Sequence, residues 1–172
     1  MKKYGFIALG LIIFILALLW FANKQGFFKK PESLNASNTG VNCGPKALSA
    51  IISYYRIQIT WDSLAKISHT GAEGTTMYDL ANTAKVLGFE TAGIKTGYPG
   101  LSKLPLPSLI FVNNKHFATL LWVGTDSVLI EDEGKRNFVK RPEFLKIWGG
   151  QVLALYPGRE LQKKLSNKNI NQ

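Results

Sequence analysis

Cys43 is the single cysteine of the 172-residue chain, and it stands at the start of a helical pattern, followed by Gly44 and Pro45. Unsatisfied N–H groups and the macrodipole at a helix N-terminus favour an anion, so a thiolate forms more easily there. Gly44 permits close approach of backbone to a substrate, as a nucleophile needs. A lone thiol is on base rates more often a small buried apolar side chain, so Cys43 by itself decides nothing. His116 adds weight: it opens a strand pattern directly after Asn113-Asn114, which places it at a sheet rim. In a hairpin folding about Gly124, His116 stands opposite Asp132, with Cβ atoms about 5 Å apart on one face. A carboxylate there would orient the imidazole of a Cys-His-Asp triad. A one-residue slip would present Glu131 or Glu133 instead, so the third member stays open among the three. His69 lies in a Gly/Thr-rich loop and reads as ordinary surface. Two histidines and one cysteine scattered this way lack ligand spacing, so no metal and no cofactor is expected.

The elements that must position these residues divide the chain. Ala47, Leu48, Ile51, Ile52 and Tyr55 recur at helical spacing after Cys43, and Pro45 suits a first turn. A short helix is expected over 61–68 with Thr60 as cap. A third begins after Thr76, with Asp79 in a capping-box-like position, and ends at Gly88. Beyond Gly88 the period changes to strand, with candidates at 89–95, 108–112, 117–123, 128–131, 138–140 and 152–156 and a helical turn at 142–148. Helices first and antiparallel strands after give an α+β class. The expected organisation is an N-terminal anchor helix (1–24), a linker (25–40), one folded domain (41–158) and a polar, basic, frayed tail (159–172).

The anchor rests on residues 4–23, twenty in a row without a charge. As a helix they would span about 30 Å, a bilayer core, with Tyr4 and Trp20 near the two interfaces. Trp20 is a poor fit to the small residue that signal-peptide cleavage after Ala22 would need, so an uncleaved single-pass anchor is expected. The formal charge of +10 invites a nucleic-acid reading, but residues 31–158 hold twelve basic against ten acidic residues. The excess flanks the domain instead of forming a basic face with aromatic platforms, so no nucleic-acid partner is expected. Lysines on both flanks nearly balance the positive-inside comparison. The short N-terminal flank favours an extracytoplasmic domain.

The motif Asn42-Cys43-Gly44-Pro45-Lys46-Ala47-Leu48 resembles the nucleophile segment of the bacteriocin-processing cysteine peptidases, cysteine peptidase family 39, which cut leader peptides after a double glycine. Gly74-Thr75-Thr76-Met77-Tyr78-Asp79-Leu80, with 84–89 after it, is similar to that family's second block. Leu104-Pro105-Leu106-Pro107-Ser108-Leu109-Ile110 running into His116-Phe117 resembles its histidine block. Asp132 stands at the place of its Asp, and 148–155 is similar to its closing strand. The resemblance spans about residues 40–157 and implies a papain-like fold, with Cys43 as nucleophile, His116 as general base and acid, and Asp132 as the orienting carboxylate.

Three positions depart from the family pattern. Ser37 stands where the family carries an oxyanion-holding Gln, with Asn38 beside it as a substitute amide donor. Asn42 replaces an Asp, and Glu133 replaces a Pro. Losing one oxyanion donor typically costs 10²–10³ in rate. The resemblance therefore implies a membrane-anchored thiol peptidase acting on peptides with a Gly-Gly leader. Because 172 residues hold no transporter, a separate export partner is expected and ATP is not. The rivals are an inert leader-binding module of the same fold and another papain-like amide hydrolysis or acyl transfer.

Overall fold

The computed structural model of the chain describes residues 40–170. The expected anchor, nearly all of the linker, and Ser37 and Asn38 lie outside them. Among the described residues no helix is long and apolar enough to cross a membrane.

Among the described residues three helices come first: α1 (Cys43–Tyr54), α2 (Trp61–Ile67) and α3 (Met77–Val86). Helix α1 forms because its apolar residues fall on one stripe, and Leu48, Ile51 and Ile52 are fully buried. Each such side chain contributes about 1.5–3 kcal/mol through burial. Helix α3 starts as its sequence requires. The Thr76 hydroxyl oxygen accepts from the Asp79 N–H at 3.1 Å and donates to its carboxylate. Gly88 takes φ +92 just past the end of α3, a conformation that suits a residue without a Cβ. Thr60 precedes α2 but makes no side-chain cap bond to its backbone; its hydroxyl pairs with that of Ser63 at 2.9 Å.

Strand β1 (Phe89–Lys95) follows, then a short turn of helix, α4 (Tyr98–Leu101), and β2 (Ser108–Val112), β3 (His116–Val123), β4 (Ser127–Asp132) and β5 (Lys135–Lys140). Helix α5 (Arg141–Ile147), β6 (Trp148–Pro157) and α6 (Arg159–Ile170) close the chain. The six strands form one antiparallel sheet in the order β1-β6-β2-β3-β4-β5. Period-two alternation lets the central strands β2, β3 and β6 contribute to two cores. Leu109, Phe117, Leu153 and Leu155 face α1, α2, α3 and α6, while Ile110, Ala118, Leu120 and Val152 face α4 and α5.

Two expectations are corrected. Residues from 159 form a helix instead of a frayed tail, because Leu161 is buried and Leu165 packs one turn later on the same core. The Gln162 N–H bonds the Gly158 carbonyl at 2.8 Å, and Lys163 pairs with Glu160 at 3.2 Å. The β3–β4 register is displaced by two residues from a hairpin symmetric about Gly124. Thr119 faces Glu131 and Leu120 faces Ile130, and a bulge falls at Leu121 before Trp122 faces Leu129. A displacement of one would have exchanged the faces; a displacement of two keeps them.

Candidate active site

The thiol and the imidazole come from elements stitched together at two points. The Thr119 hydroxyl, fully buried on β3, donates to the Ala47 carbonyl of α1 at 3.0 Å. The Phe117 backbone N–H donates to Cys43 Sγ at 3.5 Å. Gly44 lets α1 sit this close to the strand. A Cβ there would lie 2.5 Å from Thr75 Cγ2, 2.9 Å from Leu80 Cδ1 and 3.2 Å from Phe117 Cδ2.

Cys43 is the first residue of α1 and is buried. His116 leads β3, and its Nε2 lies 2.8 Å from Asp132 Oδ1 at the end of β4. The ring also interacts with the Cys43 side chain, and with Nε2 on Asp132 the nitrogen left for the thiol is Nδ1. The three residues therefore form a continuous relay, Cys43 to His116 to Asp132.

The electrostatics favour charge separation. Burial pushes the Cys43 thiol up. The bond to His116, the Phe117 N–H, the charge of His116 and the Gly44 N–H together outweigh it, so its pKa falls below the ordinary 9.0. His116 moves the other way, to about 9: the bond to Cys43 raises it most, burial opposes, and the bond and charge of Asp132 raise it further. Each partner stabilises the charged form of the other, which favours thiolate and imidazolium together.

Glu131 and Glu133, the alternatives to Asp132, are turned elsewhere. Glu131 accepts from Arg136 Nε at 2.8 Å, and Glu133 pairs with Lys46 Nζ at 2.8 Å. Asp132 is thus the carboxylate that meets His116. His69 is exposed, as expected for surface. A cavity of about 340 Å³ opens beside Cys43, walled by Lys46 and Trp61 on the helical side and by Thr119, Glu131 and Glu133 on the strand side. Lys46 and Trp61 carried no functional signal in the sequence, because their place depends on contacts across α1, α2 and the sheet. Further along the sheet face that carries Glu131, Leu129 lies between Trp122 and Phe138, which are 46% and 71% exposed.

A thiol at a helix N-terminus, set against an imidazole and a carboxylate from an antiparallel sheet, is the arrangement that thiol-dependent acyl chemistry requires. The sequence model of the Peptidase C39 family matches residues 33–160, and the chain belongs to that family. An uncharacterised protein of Methanothermobacter marburgensis is 26% identical over 129 residues, 74% of this chain and 91% of that protein. The lactococcin-G-processing and transport ATP-binding protein of Lactococcus lactis is 27% identical over 131 residues, 72% of this chain but 19% of that protein. This chain therefore spans about a fifth of the transporter it matches. Among solved structures, a double glycine motif protease from an AMS/PCAT transporter, crystallised with the leader peptide, superposes with a TM-score of 0.66 at 21% identity, covering 73% of this chain and 88% of that one. The peptidase domain of Streptococcus ComA, a bifunctional ABC transporter, gives 0.63 at 25% identity, covering 68% and 92%.

Proposed function

We propose that this protein is a membrane-anchored cysteine endopeptidase that removes a Gly-Gly leader from a secreted peptide or protein. The observation that carries the reading is the Cys43–His116–Asp132 relay, with the 2.8 Å bond orienting the ring. Cys43 thiolate attacks the carbonyl carbon of the second glycine, and the imidazolium of His116 gives its proton to the leaving amine. Water then attacks the thioester, losing a proton to His116, and the thiolate leaves. The backbone N–H of Cys43 and the side chain of Asn38 or Ser37 are the proposed donors to the carbonyl oxygen.

The kinship to leader-processing transporters supports this substrate class. Exposed apolar side chains at Trp122 and Phe138, on the sheet face that runs from the cavity, offer a surface for an apolar segment upstream of the cut. In this reading residues 4–23 hold the domain at the membrane, on its extracytoplasmic side, in association with an export transporter. Full-length protein in detergent micelles, incubated with a synthetic peptide that continues several residues past a leader's Gly-Gly, should release product at the bond after the second glycine, and Cys43→Ala should release none. Leader binding without cleavage by the wild type would replace the peptidase with an inert binding module.

A further inference from the structure

Three consecutive acids end β4 and begin its turn, and each meets a different cation: Glu131 meets Arg136, Asp132 meets His116, and Glu133 meets Lys46. The last pairing spans 87 positions of sequence. Lys46 stands three residues after Cys43, on the same side of α1. Its ammonium lies 2.8 Å from Glu133 Oε1 and 5.7 Å from the Trp61 ring centroid. Trp61, Lys46 and Glu133 therefore link α2, α1 and the β4–β5 turn along the wall of the cavity that holds Cys43.

We infer that the Lys46–Glu133 ion pair is a strap that positions Asp132 on His116, by tying the turn beside Asp132 to the helix that bears Cys43. The turn holds Glu133 in a conformation that disfavours a side chain of its kind. It is two residues long, and both residues are left-handed, Glu133 at φ +48 and Gly134 at φ +79. It joins β4 to β5, the outermost strand, whose residues 135–138 are all exposed. Asp132 itself is 47% exposed, so packing does little to fix its carboxylate. A partly exposed ion pair adds little to stability, and what this one supplies is geometry. Lys46 and Glu133 are positioning residues, and the proposal rests on Cys43, His116 and Asp132 acting as a working triad.

The test compares Lys46→Gln, Glu133→Gln and the exchange Lys46→Glu with Glu133→Lys, in the full chain in detergent micelles. Two quantities are read: the pH dependence of Cys43 alkylation by iodoacetamide, and kcat and KM on a Gly-Gly leader peptide. The charged groups around the thiol and ring are Lys46, Glu131, Asp132 and Glu133. A direct field effect would move thiol ionisation in opposite directions on losing the Lys46 cation and on losing the Glu133 anion. Loss of positioning moves both the same way, to higher pH, because a loosened Asp132 no longer holds the imidazolium. We expect that common shift and a roughly ten- to hundredfold fall in kcat with KM little changed. We also expect an unchanged melting temperature and recovery in the exchanged pair. Opposite shifts, or wild-type alkylation profiles in both single variants, overturn the strap. If no form of the protein cuts the peptide, the peptidase reading falls while alkylation still decides the strap.

Discussion

His116 and Asp132 meet on a diagonal of the β3–β4 ladder, with Nε2 2.8 Å from Oδ1. The register that sets Thr119 against Glu131 puts Asp132, one residue on, beside Ala118, two residues from His116 and on the same face. The carboxylate reaches along the strand to the ring, and its neighbours Glu131 and Glu133 are each held by another cation.

Neither neighbour can replace Asp132. Asp132→Ala should lower kcat by about 10²–10⁴, close to the loss from His116→Ala, since the ring loses the group that orients it. Steady-state cleavage of a leader peptide by the two variants checks this. Activity within a factor of a few of wild type would show that Glu131 or Glu133 swings in.

Activity should follow a bell in pH. The working form needs thiolate and imidazolium together. Its window opens as Cys43 ionises, below the ordinary 9.0, and closes as His116 loses its proton at about 9. In His116→Ala, burial of the thiol acts without opposition from the ring, so alkylation of Cys43 should require a higher pH. An alkylation profile identical to wild type would remove His116 from contact with the thiol.

Gly44→Ala should destabilise the protein by about 1–3 kcal/mol, because the added Cβ must displace Thr75, Leu80 and Phe117 side chains from a packed site. The same displacement shifts Cys43 relative to the Phe117 N–H. Thermal unfolding and alkylation rate together should both move.

Glu133→Pro should also fail, although a Pro at this place matches the pattern of the family that the sequence resembles. Proline holds φ near −65°, and Glu133 sits at φ +48. The turn would have to rearrange, at a cost above ~1 kcal/mol, and would carry Asp132 with it. Urea unfolding and leader cleavage should both report the loss, whereas Glu133→Gly should keep the turn.

For topology, protease added to cells with a permeable outer envelope should degrade the domain and leave a membrane-bound stub near residue 30. Full protection until the inner membrane is broken would place the domain in the cytoplasm.

Much of this architecture is legible from local pattern. Residues 89–95 and 108–112 match β1 and β2 to the residue, and Thr76, Gly88 and the Asn113-Asn114 turn do what their side chains and backbone freedom suggest. What failed depends on distance or dilution. A turn of three residues, 124–126, and the bulge at Leu121 leave no mark in composition, so the expected register was off by two. The pair His116–Asp132 survived because two is even. Helix α6 was hidden because Leu161 and Leu165 are its sparse apolar side chains in a polar segment. The Lys46–Glu133 contact joins residues with no local relation, which no periodicity can reveal.

The three members of the relay enter the fold by different routes. His116 and Asp132 lie on neighbouring strands of a meander closed by short turns, whose contacts are near in sequence. Cys43 joins them only when α1 docks, through Phe117 and Thr119, across more than seventy residues. Until then it is an ordinary thiol, protonated at neutral pH. The groups that lower the Cys43 pKa thus reach it only with the tertiary structure, so the ionisation of this thiol reports the docking of α1 on the sheet.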